Sequence, residues 1–211
     1  VYWNSPNTGA TNSSNFNGRG AGERDNATGA FSDLQITTFM WAQGELSSDR
    51  GYIGYLQHDA ASFTAHKINP STWYSARKEK GLSVRLIKDT TSLTNGQTGT
   101  YTGNDGKVYR TICIGTQEWV ADNLVETKYR NLDAIPEVTP NATWTGLSTG
   151  ARCSYDNDSG NANPTCTGYV MADRSELLTA IFVWGDNNSL AIATYGQINT
   201  WCTGNVTDMS Y

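Results

Sequence analysis

The stretch NDGKVYRTICIGTQEWVADNL, residues 104–124, constrains this chain more than any other. It reads as turn, strand, turn, strand. Asp105-Gly106 is a hairpin-type turn signal, because Gly accepts positive φ without steric cost. Val108, Tyr109, Thr111 and Ile112 are β-branched or aromatic and suit a pleated, half-buried surface. Gly115-Thr116 breaks the run, and Glu118-Trp119-Val120 starts a second strand. Trp119 has the largest apolar area nearby, which predicts a core anchor.

The rest of the chain agrees with a strand- and loop-rich α+β fold. It holds 21 Gly and is only 37 % hydrophobic, which disfavours long helices. Its 7 Trp, 11 Tyr and 5 Phe supply the buried area that the scarce aliphatic runs do not. Alternation and aromatic content predict strands at residues 37–41, 52–56, 62–68 and, most cleanly, 82–87. In that last stretch Leu82, Val84 and Leu86 form the expected apolar face. One helix signal stands out: Asp173 as cap, Glu176 three residues on, then Leu177, Leu178, Ile181 and Phe182, stopped by Gly185. Residues 191–201 are a short element whose type the pattern leaves open.

A formal net charge of −5 argues against a nucleic-acid partner, since phosphate binding needs clustered Lys and Arg. The densest basic run, Arg77-Lys78-Glu79-Lys80, is short, interrupted by an acid, and reads as a solvated loop. No stretch approaches the roughly 18 apolar residues of a membrane span. Val1 is not an initiator Met, so a processed or partial chain is expected. Four cysteines in a polar, Asn-rich chain fit an oxidising compartment. Three pairings are open. The short Gly- and Asn-rich loop between Cys153 and Cys166 makes that bridge the expected one, stabilising by about 3 kcal/mol in the chain-entropy model.

The hairpin stretch also resembles the opening of the Fibrobacter succinogenes major paralogous domain family, through the pattern DG-x-VY-x-T-x-x-IG-x-Q-x-W-x-A-x-NL. Further words similar to that family follow at residues 129–136 (YRNLDAIP), 144–158 (WTGLSTGARCSYDND) and 166–178 (CTGYVMADRSELL). Words that close the family domain come first here: 2–16 (YWNSPNTGATNSSNF), 29–41 (GAFSDLQITTFMW) and 81–89 (GLSVRLIKD). The resemblance implies a C-type-lectin-like mixed fold, related to formylglycine-generating enzymes, on surface lipoproteins, phage or cell-surface proteins. It divides the chain into a C-terminal-half-like segment at 1–89, a polar linker at 90–104, and an N-terminal-half-like segment at 105–211. The inverted order implies a window on tandem repeats, or one permuted or exchanged domain.

The sequence holds no catalytic constellation, neither a Gly-x-Ser-x-Gly elbow nor His-Glu-x-x-His, so no enzyme is expected. Fold relatives that act as enzymes use a reactive cysteine pair that the matching words lack. Trp73, Tyr74 and Arg77 lie in an insertion before the closing strand, where C-type lectin folds often carry ligand contacts. Aromatic faces stack on sugar rings and Arg adds directed donors, so these are the candidate ligand-binding residues. The plain alternative is that Trp73 packs under its own loop. Asp156 and Asp158 begin like a calcium loop but lack the Gly and terminal Glu of an EF-hand. They read as an Asx-turn that could hold Ca²⁺; no other cofactor is implied. The expectation is a non-enzymatic binding or adhesion module at a bacterial or virion surface, recognising glycans or a surface receptor. A structural subunit of a virion, fibre or pilus, able to self-associate, is the alternative.

Overall fold

The computed structural model describes residues 3–64, 75–159, 178–180, 183 and 188–195. The chain divides into two compact units, 1–163 and 164–211. Among the described residues it is α+β, sheet-rich, with few and short helices.

The first unit holds two sheets. The first contains β1 (Ala21–Arg24), β2 (Phe31–Leu34), β3 (Thr37–Ser47), β4 (Arg50–Gln57) and β5 (Ser75–Arg77). Their spatial order is β2-β1-β3-β4-β5. β3 and β4 form a long antiparallel hairpin, in register from Thr37↔Gln57 to Trp41↔Ile53 and irregular beyond. Gly44, at φ +93°, accommodates that irregularity. The second sheet contains β6 (Ile87–Lys88), β7 (Thr98–Thr102), β8 (Val108–Ile114) and β9 (Gln117–Val120), in the order β6-β9-β8-β7. Its turns fall where the sequence places them. Gly106 takes φ +87° between β7 and β8, and Gly115 takes φ +65° between β8 and β9. Beyond β9 come a one-turn helix, α1 (Asn141–Trp144), and a 3-10 turn at Tyr155–Asn157. In the second unit, Leu178 to Ala180 are helical and α2 spans Asn188–Tyr195, which types the element left open by pattern. Most of the predicted 173–185 helix lies outside the described residues.

The stretch 90–104 is more than a linker. Thr98–Thr102 forms β7 and pairs along its length with β8, from Thr98↔Ile112 to Thr102↔Val108. As an edge strand it needs no apolar face, which is why a polar TGTYT sequence serves. Residues 81–88 splice the two sheets. Gly81 and Ser83 bond to Arg24, Phe39 and Trp41 in the first sheet; Val84 and Leu86 accept from Leu124 N (2.9 Å) and Val120 N (3.0 Å). Ile87 then pairs with Trp119 in β9. The closing and opening words therefore meet within one chain.

Two packing expectations are corrected. The alternation of residues 82–87 is inverted: Arg85 is buried, whereas Val84, Leu86 and Ile87 are exposed, Ile87 by 47 %. The inner side of this segment meets backbone carbonyls and the ring of Phe16, which a guanidinium satisfies and an aliphatic chain cannot. Trp119 is half-buried, edge-on to Phe16 at 5.5 Å. The hairpin core is instead Tyr109, Ile112, Cys113, Val120 and Ala121, with Trp144 buried on α1.

Candidate functional site

The β3–β4 hairpin builds an aromatic face by simple alternation. Phe39 and Trp41 lie two residues apart on β3 and project to one side. Tyr55 stands opposite Phe39, with ring centroids 6.0 Å apart and planes tilted by 52°. Trp41 lies across β4, where a Cβ on Gly51 would come within 2.9 Å of its ring. That glycine lets the indole settle flat on the strand. All three rings are half-buried, while Met40 and Thr38, on the other side of β3, are buried. Half-buried rings held by a paired strand are fixed in place yet keep accessible edges or faces.

The predicted ligand residues are distributed differently. Trp73 and Tyr74 lie outside the described residues. Arg77 ends β5 and is exposed, but its guanidinium is drawn to Asp49 (3.4 Å) and Glu79 (3.5 Å). Its neighbours follow suit: Lys78 pairs with Glu45 and Lys80 with Glu23. The basic run is thus pinned to the β3–β4 tip and to β1. The exposed pairs of Arg77 and Lys78 contribute little stability but orient the side chains.

Asp156 and Asp158 belong to the 3-10 turn. Asp156 and Asn157 adopt φ +52° and +57°, and Asn157 Nδ2 donates to Thr139 O at 3.1 Å. Among the described residues no group of three or more His, Cys, Asp or Glu side chains is gathered as a metal site. Cys153 carries a free thiol, raised above its usual pKa by burial. Its expected partner Cys166 lies outside the described residues.

Two buried arginines were not singled out from sequence. Arg24, on β1, is 1 % exposed. Its Nε donates to Gly29 O (2.9 Å), Nη1 to Val138 O (2.7 Å), and Nη2 to Thr139 O (2.7 Å) and Asn141 Oδ1 (3.1 Å). The guanidinium lies 4.3 Å from the Trp144 ring centroid and 4.7 Å from that of Phe31. Arg85 is 7 % exposed. It donates to Asn123 Oδ1 (2.9 Å), Ala121 O (2.8 Å), Asn17 O (3.0 Å) and Phe16 O, with the Phe16 ring at 4.3 Å. Burial pushes its pKa down to about 10, and the charge of Asp122 opposes that fall. The only sequence signal was Arg85 itself, a charge within an otherwise clean β pattern.

A third charged cluster closes the β7–β8 turn. Asp105, whose side chain is 5 % exposed, accepts from Thr127 N and Oγ1, both at 2.9 Å, from Lys107 N at 3.1 Å, and from Lys107 Nζ. Burial works against its charge, but the Lys107 and Thr127 donors outweigh it and hold the carboxyl well below the usual range. Asp105 N in turn donates to Glu126 Oε2 at 3.3 Å. These groups serve the turn and face no open cleft that the described residues define.

Compared with known proteins, the chain matches no family model, no curated protein and no solved structure. No helix among the described residues is long and apolar enough to cross a membrane.

Proposed function

We propose that this chain is a non-enzymatic binding or adhesion module, displayed outside the cytoplasm on a bacterial surface or phage particle, and similar to the Fibrobacter succinogenes major paralogous domain family. Its ligand is a glycan or a glycan-bearing surface receptor. The observation that carries this reading is the Phe39–Trp41–Tyr55 face, three rings held by one hairpin at the spacing of alternate strand residues. Such a face can stack on the apolar sides of sugar rings without a catalytic group. Trp73, Tyr74 and Arg77 are the further ligand contacts that the sequence proposes.

A glycan array of the whole chain tests the proposal. Hits are expected, and Trp41→Ala should weaken them about tenfold, the equivalent of about 1.4 kcal/mol, with the fold intact by circular dichroism. Binding that survives loss of both Trp41 and Tyr55 would place the ligand elsewhere, and an array without hits would remove the glycan reading. Repeating the array with a chelator addresses Ca²⁺. A lost signal would assign Asp156 and Asp158 to an ion, and an unchanged one would leave them as turn residues.

A further inference from the structure

An outer strand of a sheet can accept another strand along its free backbone, and proteins guard such edges with charge, kinks or brevity. Three of the four outer strands here are guarded. β2 carries Asp33 at φ +61°. β5 is three residues long and ends on Arg77, with its ion pairs to Asp49 and Glu79. β6 is two residues long and ends on Lys88. β7 differs. Its five residues, TGTYT, hold no charge and no proline, and none of them has a positive φ. Thr98, Thr100 and Thr102 are all exposed.

The ends of the β7–β8 ladder fix which backbone groups face outward. Gln97 O accepts from Cys113 N (2.9 Å), and Gly103 N donates to Lys107 O (2.8 Å). The register between them, from Thr98↔Ile112 to Thr102↔Val108, keeps the same parity throughout. Residues 97, 99, 101 and 103 therefore bond toward β8, and the N–H and C=O groups of Thr98, Thr100 and Thr102 turn away from it. Among the described residues these outward groups have no backbone partner elsewhere.

We propose that β7 is a self-pairing edge: β7 of one copy adds antiparallel to β7 of a second copy, joining their two four-stranded sheets into one. The sequence TGTYT fits itself in a single register. With Thr100 on the two-fold axis, Thr98 faces Thr102 of the other copy and Gly99 faces Tyr101. The outward threonines of each copy supply the donors and acceptors that the other needs. Tyr101 requires a neighbour without bulk and Gly99 one that fills space, and each copy presents both. Leu93 Cδ1 lies 3.1 Å from where a Cβ on Gly99 would sit, so the incoming ring meets an apolar surface. No like charges oppose each other along the strand. A ladder this short falls below the roughly 1,000 Å² of a stable interface, so the pairing is weak and forms at high local concentration. The packing within each chain is untouched, and the aromatic face of β3 and β4 takes no part.

Sedimentation velocity of the whole chain across a concentration series tests this. The wild type should move from monomer toward dimer as concentration rises. Thr100→Pro removes an outward N–H and no bond to β8, so it should keep the fold by circular dichroism and stay monomeric. Thr100→Lys, which sets like charges against each other at the axis, replaces it if proline unfolds the chain. Oxidation reads the register separately. Thr100→Cys should form a 100–100 disulfide between copies, identified by peptide mass mapping, because the Cα atoms of a hydrogen-bonded pair lie about 5.5 Å apart. Thr98→Cys should not, since its two copies are offset by roughly 13 Å along the strands. A wild type that stays monomeric at every concentration overturns the proposal. So does a dimer that survives both Thr100→Pro and Thr100→Lys, or cross-linking of Thr98→Cys chains as ready as that of Thr100→Cys chains.

Discussion

Arg24 lies against two aromatic rings and makes four donations, while Arg85 lies against one ring and makes four of its own. Among the described residues neither guanidinium is bonded to a carboxylate; both donate to neutral oxygens. Their geometry differs in reach. Arg24 ties β1 to its own turn at Gly29 and to residues 138–141, beyond the second sheet in the chain. Arg85 gathers residues 16–17, 85 and 121–123 at the place where the chain passes from one sheet to the other. A planar fork can thus replace a hydrophobic contact wherever loops present carbonyls that need donors. The cost is desolvation, visible at Arg85 in its lowered pKa.

The largest expected effect tests that contrast. Arg24→Met keeps the volume but strands four carbonyl or amide oxygens, and should destabilise by about 3–5 kcal/mol in urea unfolding. Arg85→Met should cost less, about 2–3 kcal/mol, because removing the guanidinium also relieves the desolvation that lowers its pKa. Equal losses would break the distinction between the two sites. Gly81→Ala sharpens it from the other side. The added Cβ would meet Arg24 Cβ and the Trp144 ring, each at 2.9 Å. A loss of about 1–3 kcal/mol is expected, and it should persist in the Arg24→Met background, because methionine keeps the Cβ that the new methyl meets.

How much of this was legible in the sequence depends on the kind of signal. The 104–124 hairpin and strands β3 and β4 were legible, because turn glycines and β-branched or aromatic runs act locally. The facing of residues 82–87 was not. Polarity predicts that Arg85 points to water, and only the carbonyls of distant residues 16, 17 and 121 reverse that. Strand β7 escaped notice because an edge strand in a Thr- and Gly-rich stretch shows no apolar period. Arg24, in the plain run GERD, carries no mark of the cage formed by residues 138–144. For the candidate site, the alternation of Phe39 and Trp41 was visible within a predicted strand. That the rings stay half-buried depends on β4 and on the absent side chain of Gly51, which is a tertiary fact.

Trp119 gives a smaller effect on the Arg85 side. The sequence alone predicts a core anchor, and hence a large loss on truncation. In the structure its edge meets Phe16, the ring that covers Arg85. Trp119→Ala should therefore cost about 1–2 kcal/mol, the scale of one aromatic pair with partial burial. Urea midpoints of Trp119→Ala, Arg85→Met and the double variant would show the coupling. Additive losses would mean that Phe16 holds its place over Arg85 without help from Trp119.

The smallest effect separates both arginines from the β7–β8 turn. Arg85 is a cation among neutral oxygens, and a pKa of about 10 keeps it charged throughout mild acid. Asp105 is the reverse case, an anion among donors from Lys107 and Thr127. Its folded carboxyl is held below the unfolded value of 3.8. At a pH between the folded and unfolded values, the unfolded chain binds more protons, so stability must fall as pH falls. The Asp105 contribution is therefore fully present well above pH 3.8 and is lost progressively below it. Asp105→Asn should lower stability at neutral pH and flatten the acid limb, narrowing its gap to the wild type as pH drops. Glu118, held low by Thr111 and Thr91, titrates in the same direction in both proteins and cancels in the difference. Urea midpoints measured from neutral pH down through 3.8 check this. Curves for the two proteins that fall in parallel would show that Asp105 gains nothing from its donors on folding, and that the turn is held by Gly106 and the β7–β8 ladder alone.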